Sequence, residues 1–167
     1  MGGESESYDR LQLYCTSYNR EVEVRLGTGT QGTVFVLESL RHPRRVAVKF
    51  HDRKAAYQRE RDTYLRLLEL DVQEVCGHRV PILLHHDDEF LALEMTIVSP
   101  PFCLDFGGAY LDRPPDYSAQ TWADWEDEKR EAFEDDWPAV EEILAEFRLM
   151  KIFIADVNPG NIRFRNP

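Results

Sequence analysis

No apolar run in this chain approaches the ~20 residues that a helix needs to cross a bilayer, so no transmembrane segment is expected. The chain does not open on a charged-then-apolar leader either, so secretion is not expected and the setting reads as cytoplasmic. Positive charge is scarce: 20 Lys and Arg stand against 31 Asp and Glu, a formal net charge of -11. Phosphate backbones and anionic lipid surfaces repel such a chain, which argues against broad nucleic-acid or membrane binding but leaves room for a local basic site. Cysteine is scarce too. Cys15, Cys76 and Cys103 are odd in number and far apart, and read as reduced, mostly buried thiols rather than a disulfide frame or zinc site. The opening Met1-Gly2-Gly3-Glu4-Ser5-Glu6 lacks the Ser or Thr at position 6 that N-myristoylation wants. Hydrophobic residues are not lacking. They make up 43% of 167 residues, enough for one domain with a sizeable core, or at most two small lobes.

Residues 1–10 are polar and read as a flexible N-terminus, with β structure from Leu11 onward. Glu21-Val22-Glu23-Val24-Arg25-Leu26 alternates charged and apolar residues, the period of a half-buried strand. After a run of glycines, Thr33–Leu37 reads as the return strand of a hairpin and Val46–Phe50 as a third strand. Over 54–70 the period changes: Ala56, Tyr57, Glu60, Tyr64, Leu67 and Leu68 recur at threes and fours, predicting an amphipathic helix. Val80–Leu84 and Phe90–Met95 read as two more strands, joined by a turn at His85–Asp88. Prolines interrupt the pattern at Ser99-Pro100-Pro101 and again at Arg113-Pro114-Pro115. Beyond 117 the chain reads as helical, with Pro138 in the first turn of a last helix whose apolar face is Val140, Ile143, Leu144 and Phe147.

Three elements carry chemistry. Gly27-Thr28-Gly29-Thr30-Gln31-Gly32 is a G-x-G-x-x-G, weak alone because turns use glycine anyway. It is followed by a strand rather than a helix, which disfavours a dinucleotide fold, and Thr33 stands where a P-loop needs lysine. A glycine-rich loop between two antiparallel strands is a third kind of phosphate cover, because backbone N–H groups can then approach closely. Lys49 sits in the apolar strand Val46-Ala47-Val48-Lys49, where its ammonium needs an anion. Glu60 lies on the apolar stripe of the following helix and can pair with it; a plain structural ion pair is the blander reading. Asp156-Val157-Asn158-Pro159-Gly160-Asn161 puts an acid and an amide five apart on a Pro-Gly turn. The carboxylate can take a hydroxyl proton and the amide oxygen can hold Mg²⁺. An ordinary turn uses the same residue types.

In this order the elements resemble the protein-kinase-like fold, over roughly residues 20–164. The resemblance implies an α+β chain. An antiparallel β-sheet N-lobe with one main helix (11–98) precedes a hinge, a linker and a reduced, mostly helical C-terminal lobe (99–167) that ends at the catalytic loop. It implies ATP held by Gly27, Gly29, Gly32, Val34, Ala47, Lys49 and Glu60, with adenine against Leu93 to Ser99. It implies a role for Lys49, Asp156 and Asn161 in phosphoryl transfer to a hydroxyl, with Mg²⁺ on Asn161 and Asp156.

The chain also departs from the family. Ile154-Ala155-Asp156 replaces H-R-D, and Asn158-Pro159-Gly160-Asn161 is closer to atypical and small-molecule kinases. No Asp-Phe-Gly follows Asn161, so the Mg²⁺ site is expected to be weakly liganded. An Asp105-Phe106-Gly107 does occur, but ahead of Asp156. It reads first as coincidence, next as a ribose contact, and last as a loop that brings Asp105 back as the missing ligand. The alternatives to a minimal kinase are a pseudokinase-like binding module and a half-enzyme completed by a partner. Between Asp124 and Asp136 eight acids face only Lys129 and Arg130. That is an exposed helix face, or a docking surface for a basic protein partner along 122–136. His78, His85 and His86 with Asp87 and Asp88 read as a solvated turn rather than a metal site, and Trp122, Trp125 and Trp137 as core aromatics.

Overall fold

The computed structural model describes residues 2–29 and 31–165, with residues 2–7 as backbone alone. The chain is α+β. Its main sheet holds β1 (Arg20–Gly29), β2 (Gly32–Ser39), β3 (Arg45–His51), β6 (Leu83–Asp87) and β7 (Ala92–Met95), in the order β1-β2-β3-β7-β6, antiparallel throughout. The helix expected over 54–70 is α2 (Lys54–Glu69), which buries Ala56, Tyr57, Glu60, Thr63, Tyr64 and Leu67. These lie three and four apart, so the stripe faces the sheet.

The N-terminal expectation is corrected. Helix α1 (Gly2–Tyr18) replaces both the flexible 1–10 and the β structure from Leu11; Met1 lies outside the described residues. Leu11, Tyr14 and Cys15 are helically spaced and buried with Phe35, Leu37, Val46, Val48, Phe50 and Ala92. The sheet is thus covered on both faces, which is why β2 and β3 read as nearly continuous apolar runs. The Tyr14 hydroxyl donates to Glu94 at 3.0 Å, tying α1 to β7, and Arg20 of β1 pairs with the same carboxylate at 2.7 Å. At the sheet edge, β1 was expected to be half-buried, yet Val22 and Val24 are each 44% exposed. An edge strand has a neighbour on one side only.

The strand expected at Val80–Leu84 lies later, and His85 and His86 fall within it rather than in the turn. Asp87 sets the register by accepting from the N–H groups of Glu89 and Phe90, at 2.8 and 2.9 Å, so the turn falls on 88–91.

In the second half, α3 (Ala119–Phe133) starts at Ser118, whose side chain accepts from the Thr121 N–H. After one 3-10 turn (Glu134–Asp136), α4 (Trp137–Leu149) follows with Pro138 in its first turn, as expected. Trp137 is core, and Trp125 is half-buried against it. All eight acids between Asp124 and Asp136 are exposed.

Short strands lie around these helices: β4 (Glu74–Val75), β5 (His78–Arg79), β8 (Phe102–Cys103), β9 (Ala109–Leu111), β10 (Ile152–Ile154) and β11 (Ile162–Arg163). They form one sheet in the order β11-β8-β5-β4 and a β10-β9 pair. Two- and three-residue strands carry no periodicity, so none was legible in advance. No helix among the described residues is long and apolar enough to cross a membrane.

Candidate functional site

The β1–β2 hairpin roofs a cleft of about 560 Å³. Gly27, Gly29, Gly32, Val34, Ala47, Lys49, Glu60 and Asp105 all line it. Met95 to Val98 line it where the hinge was expected, and Gly160 lines it from the opposite side. The three glycines differ in their surroundings. A Cβ on Gly27 or Gly29 would meet nothing within 4 Å, so their bareness leaves the roof open. At Gly32, with φ +153°, a Cβ would stand 2.0 Å from the Phe50 carbonyl oxygen, so glycine there is required by the fold itself.

Alternation along β3 turns Lys49 toward α2. Its ammonium lies 2.7 Å from Glu60 Oε2 and 2.8 Å from Asp105 Oδ1. Lys49 and Glu60 are both buried. Burial alone would push the lysine down, but Glu60 and Asp105 outweigh it and hold the ammonium above its ordinary range. Burial likewise works to raise Glu60, and the nearby Lys49 charge with the His51 hydrogen bond prevails, keeping its carboxyl below the usual value. His51, two residues beyond Lys49 on the same strand face, brings Nε2 to 2.6 Å from Glu60 Oε2.

Through its contact with Lys49, the Asp105-Phe106-Gly107 segment borders the cleft. Phe106 is fully buried, 5.1 Å from the Tyr64 ring of α2 and 5.5 Å from the Phe147 ring of α4. The segment therefore joins the sheet half to the helical half. Asp105 holds φ +68°, a left-handed conformation that an aspartate adopts at a cost. Asp105 Oδ1 also accepts weakly from the Gly107 N–H at 3.4 Å.

The loop 156–161 lies beside this segment although it comes later in the chain. Strand β11 pairs with β8, Ile162 opposite Cys103, and the Leu104 N–H donates to the Asn161 carbonyl at 2.9 Å. On the other side β10 pairs with β9, and the Ala155 N–H donates to the Gly108 carbonyl at 3.3 Å. A Cβ on Gly108 would stand 2.4 Å from the Asp156 Cβ, so this glycine lets the two loops meet. Val157 is buried and anchors the turn, while the Trp125 indole N–H donates to the Ala155 carbonyl at 2.7 Å. Asp156 itself is exposed; the Gln31 amide reaches it from the hairpin, with Nε2 3.5 Å from Oδ2. Asn161 is half-buried and joins Asp105 through the backbone of Leu104.

Gln31, Tyr64 and His51 were missed. Gln31 lies inside the glycine motif, and Tyr64 on the buried stripe of α2, so both positions carried a signal. The Gln31 Oε1 and the Tyr64 hydroxyl are buried at the cleft with no hydrogen-bond partner among the described residues. Such orphaned atoms fit a cleft that takes a polar ligand. His78 and His85 carry unpartnered ring nitrogens away from this cleft. Among the described residues no three His, Cys, Asp or Glu side chains gather as a metal cluster.

No protein-family model, no curated protein and no solved structure matches the chain.

Proposed function

We propose that this chain is a minimal kinase-like, ATP-binding phosphotransferase in which two segments of the family pattern come in exchanged order. In that pattern the Asp-Phe-Gly follows the catalytic loop; here it precedes the 156–161 loop, and the strand pairs β8–β11 and β9–β10, which set the two segments side by side, support the reading. The observation that carries this reading is the Lys49 ammonium lying between Glu60 and Asp105 under a glycine-rich hairpin. A cleft of about 560 Å³, apolar toward Ala47 and Met95 and polar toward Lys49, suits a nucleotide with its base at one end and phosphates at the other.

In this reading Gly27, Gly29 and Gly32 cover the phosphates, Lys49 grips them, and Glu60 orients Lys49. The donor set fits Mg²⁺. Asp105 and Asp156 offer carboxylates and Asn161 an amide oxygen, on neighbouring loops. That is few protein ligands, as suits an ion that keeps waters and shares phosphate oxygens. When bound, the ion neutralises phosphate charge. Asp156, exposed beside the cleft, accepts the proton of an acceptor hydroxyl. The pseudokinase-like alternative keeps the same cleft and works through the exposed acidic face of α3 toward a basic partner.

A thermal-shift titration with ATP, with and without Mg²⁺, tests the reading. At 100 times its dissociation constant, a ligand adds about 2.7 kcal/mol to stability. Melting temperatures unmoved by millimolar ATP, MgATP and MgADP would remove it.

A further inference from the structure

We infer that His51 is a positioning residue that holds Glu60 in place once Lys49 turns to phosphate. The inference rests on the nucleotide reading of Lys49 above and adds a residue that the kinase-like pattern does not contain. His51 is fully buried. Its Nε2 and the Lys49 ammonium converge on one oxygen, Glu60 Oε2, at 2.6 and 2.7 Å. The far side of the ring is fixed as well. Nδ1 lies 3.2 Å from the Leu91 carbonyl, which also accepts from the His51 backbone N–H at 3.0 Å.

The charged and titratable groups around the ring come from three elements. Glu60 and Tyr57 face it from α2, the Tyr57 ring edge-on at 5.6 Å. Lys49 faces it from β3 through Glu60. From α1, Arg10 donates to the His51 carbonyl at 2.9 Å and lies over the Phe50 ring at 5.6 Å. Leu91 and Tyr57 thus fix the ring, and its Nε2 edge faces Glu60.

Lys49 is shared between Glu60 and Asp105. A phosphate drawing the ammonium toward the cleft weakens its hold on Glu60, a carboxylate that is 1% exposed and has no water to turn to. The Phe106 N–H, 3.4 Å from Glu60 Oε1, is a weak second anchor. His51 is the strong one, so the lysine can move without setting the glutamate adrift.

Two measurements test this. In Lys49→Met, His51 alone should keep Glu60 in place; a crystal structure of that variant with Glu60 still on Nε2 supports the inference, and Glu60 swung away overturns it. This arm needs no nucleotide, so it stands even if the nucleotide reading fails. In the second arm, His51→Leu should weaken MgADP binding about ten- to a hundredfold, the worth of a charge-assisted hydrogen bond. His51→Gln, which keeps a donor near Nε2, should stay within about threefold of wild type. In the Lys49→Met background, His51→Leu should change affinity less than about twofold, because coupled residues do not add. Equal losses in both backgrounds, or no recovery in His51→Gln, would show a structural role only and overturn the inference.

Discussion

Lys49 and Asp105 are 56 residues apart in sequence, yet their charged groups meet at 2.8 Å under the glycine hairpin. Nothing near either residue announces the pairing. It depends on β8 and β9 lying against β11 and β10, strands of two and three residues. The ammonium also meets Glu60, so one cation joins β3, α2 and the Asp-Phe-Gly segment.

Glu60→Ala should destabilise the fold by about 3–5 kcal/mol, because it leaves Lys49 and His51 buried without the carboxylate they share. Urea denaturation measures this. A loss below about 1 kcal/mol would mean that the network is not formed in solution.

Acid should unfold the protein partly through the same residue. The folded Glu60 carboxyl is held below its ordinary 4.5, burial notwithstanding, by Lys49 and His51. A lowered folded value contributes stability that is present above the unfolded value and lost as pH falls through the folded one. Wild-type stability should therefore fall as pH drops below about 4.5, and fall less steeply in Glu60→Gln. Parallel curves for the two proteins from pH 7 to pH 3 would exclude Glu60 as a source of the acid sensitivity.

The glycines separate fold from function. Gly32→Ala should cost more than about 2 kcal/mol, since its Cβ meets the Phe50 carbonyl at 2.0 Å and backbone must move. Gly27→Ala and Gly29→Ala meet nothing and should leave stability within about 0.5 kcal/mol, yet weaken ATP binding by narrowing the roof. Equal stability losses at all three positions would contradict the open roof seen at Gly27 and Gly29.

Much of this was legible beforehand and some was not, for physical reasons. The amphipathic period of α2 and the apolar runs of β2 and β3 are tertiary signals written locally, and they held. Gly27, Gly29, Gly32, Val34, Ala47, Lys49, Glu60 and Asp105, expected to hold a nucleotide, line one cleft. Helix α1 was misread because its described core-facing stripe, Leu11, Tyr14, Cys15 and half-buried Tyr18, lies amid residues that also suit strands. The Lys49–Asp105 contact was not anticipated, because Asp105 was read as a ribose contact or a returning metal ligand and not as a partner of the lysine. Order in sequence does not constrain which short strands meet in space when each needs only two or three residues to pair.

Asp156→Ala should lower any phosphotransferase turnover by ~10²–10⁴-fold, the usual worth of a general base. Gln31 is the one side chain of the described residues that hydrogen-bonds its carboxylate, so the fold should tolerate the change. Unchanged turnover would remove Asp156 from the mechanism.

In the proposed function Asp105, ahead of the 156–161 loop in sequence, faces the metal of a bound nucleotide. Calorimetric titration of ATP into wild type and Asp105→Asn, each with and without Mg²⁺, tests it most directly. Wild type should bind ATP more tightly with Mg²⁺ than without. Asp105→Asn should still bind metal-free ATP, since Lys49 keeps Glu60, and should lose most of the Mg²⁺ enhancement. An enhancement of equal size in both proteins, or no ATP binding by wild type, would contradict the account.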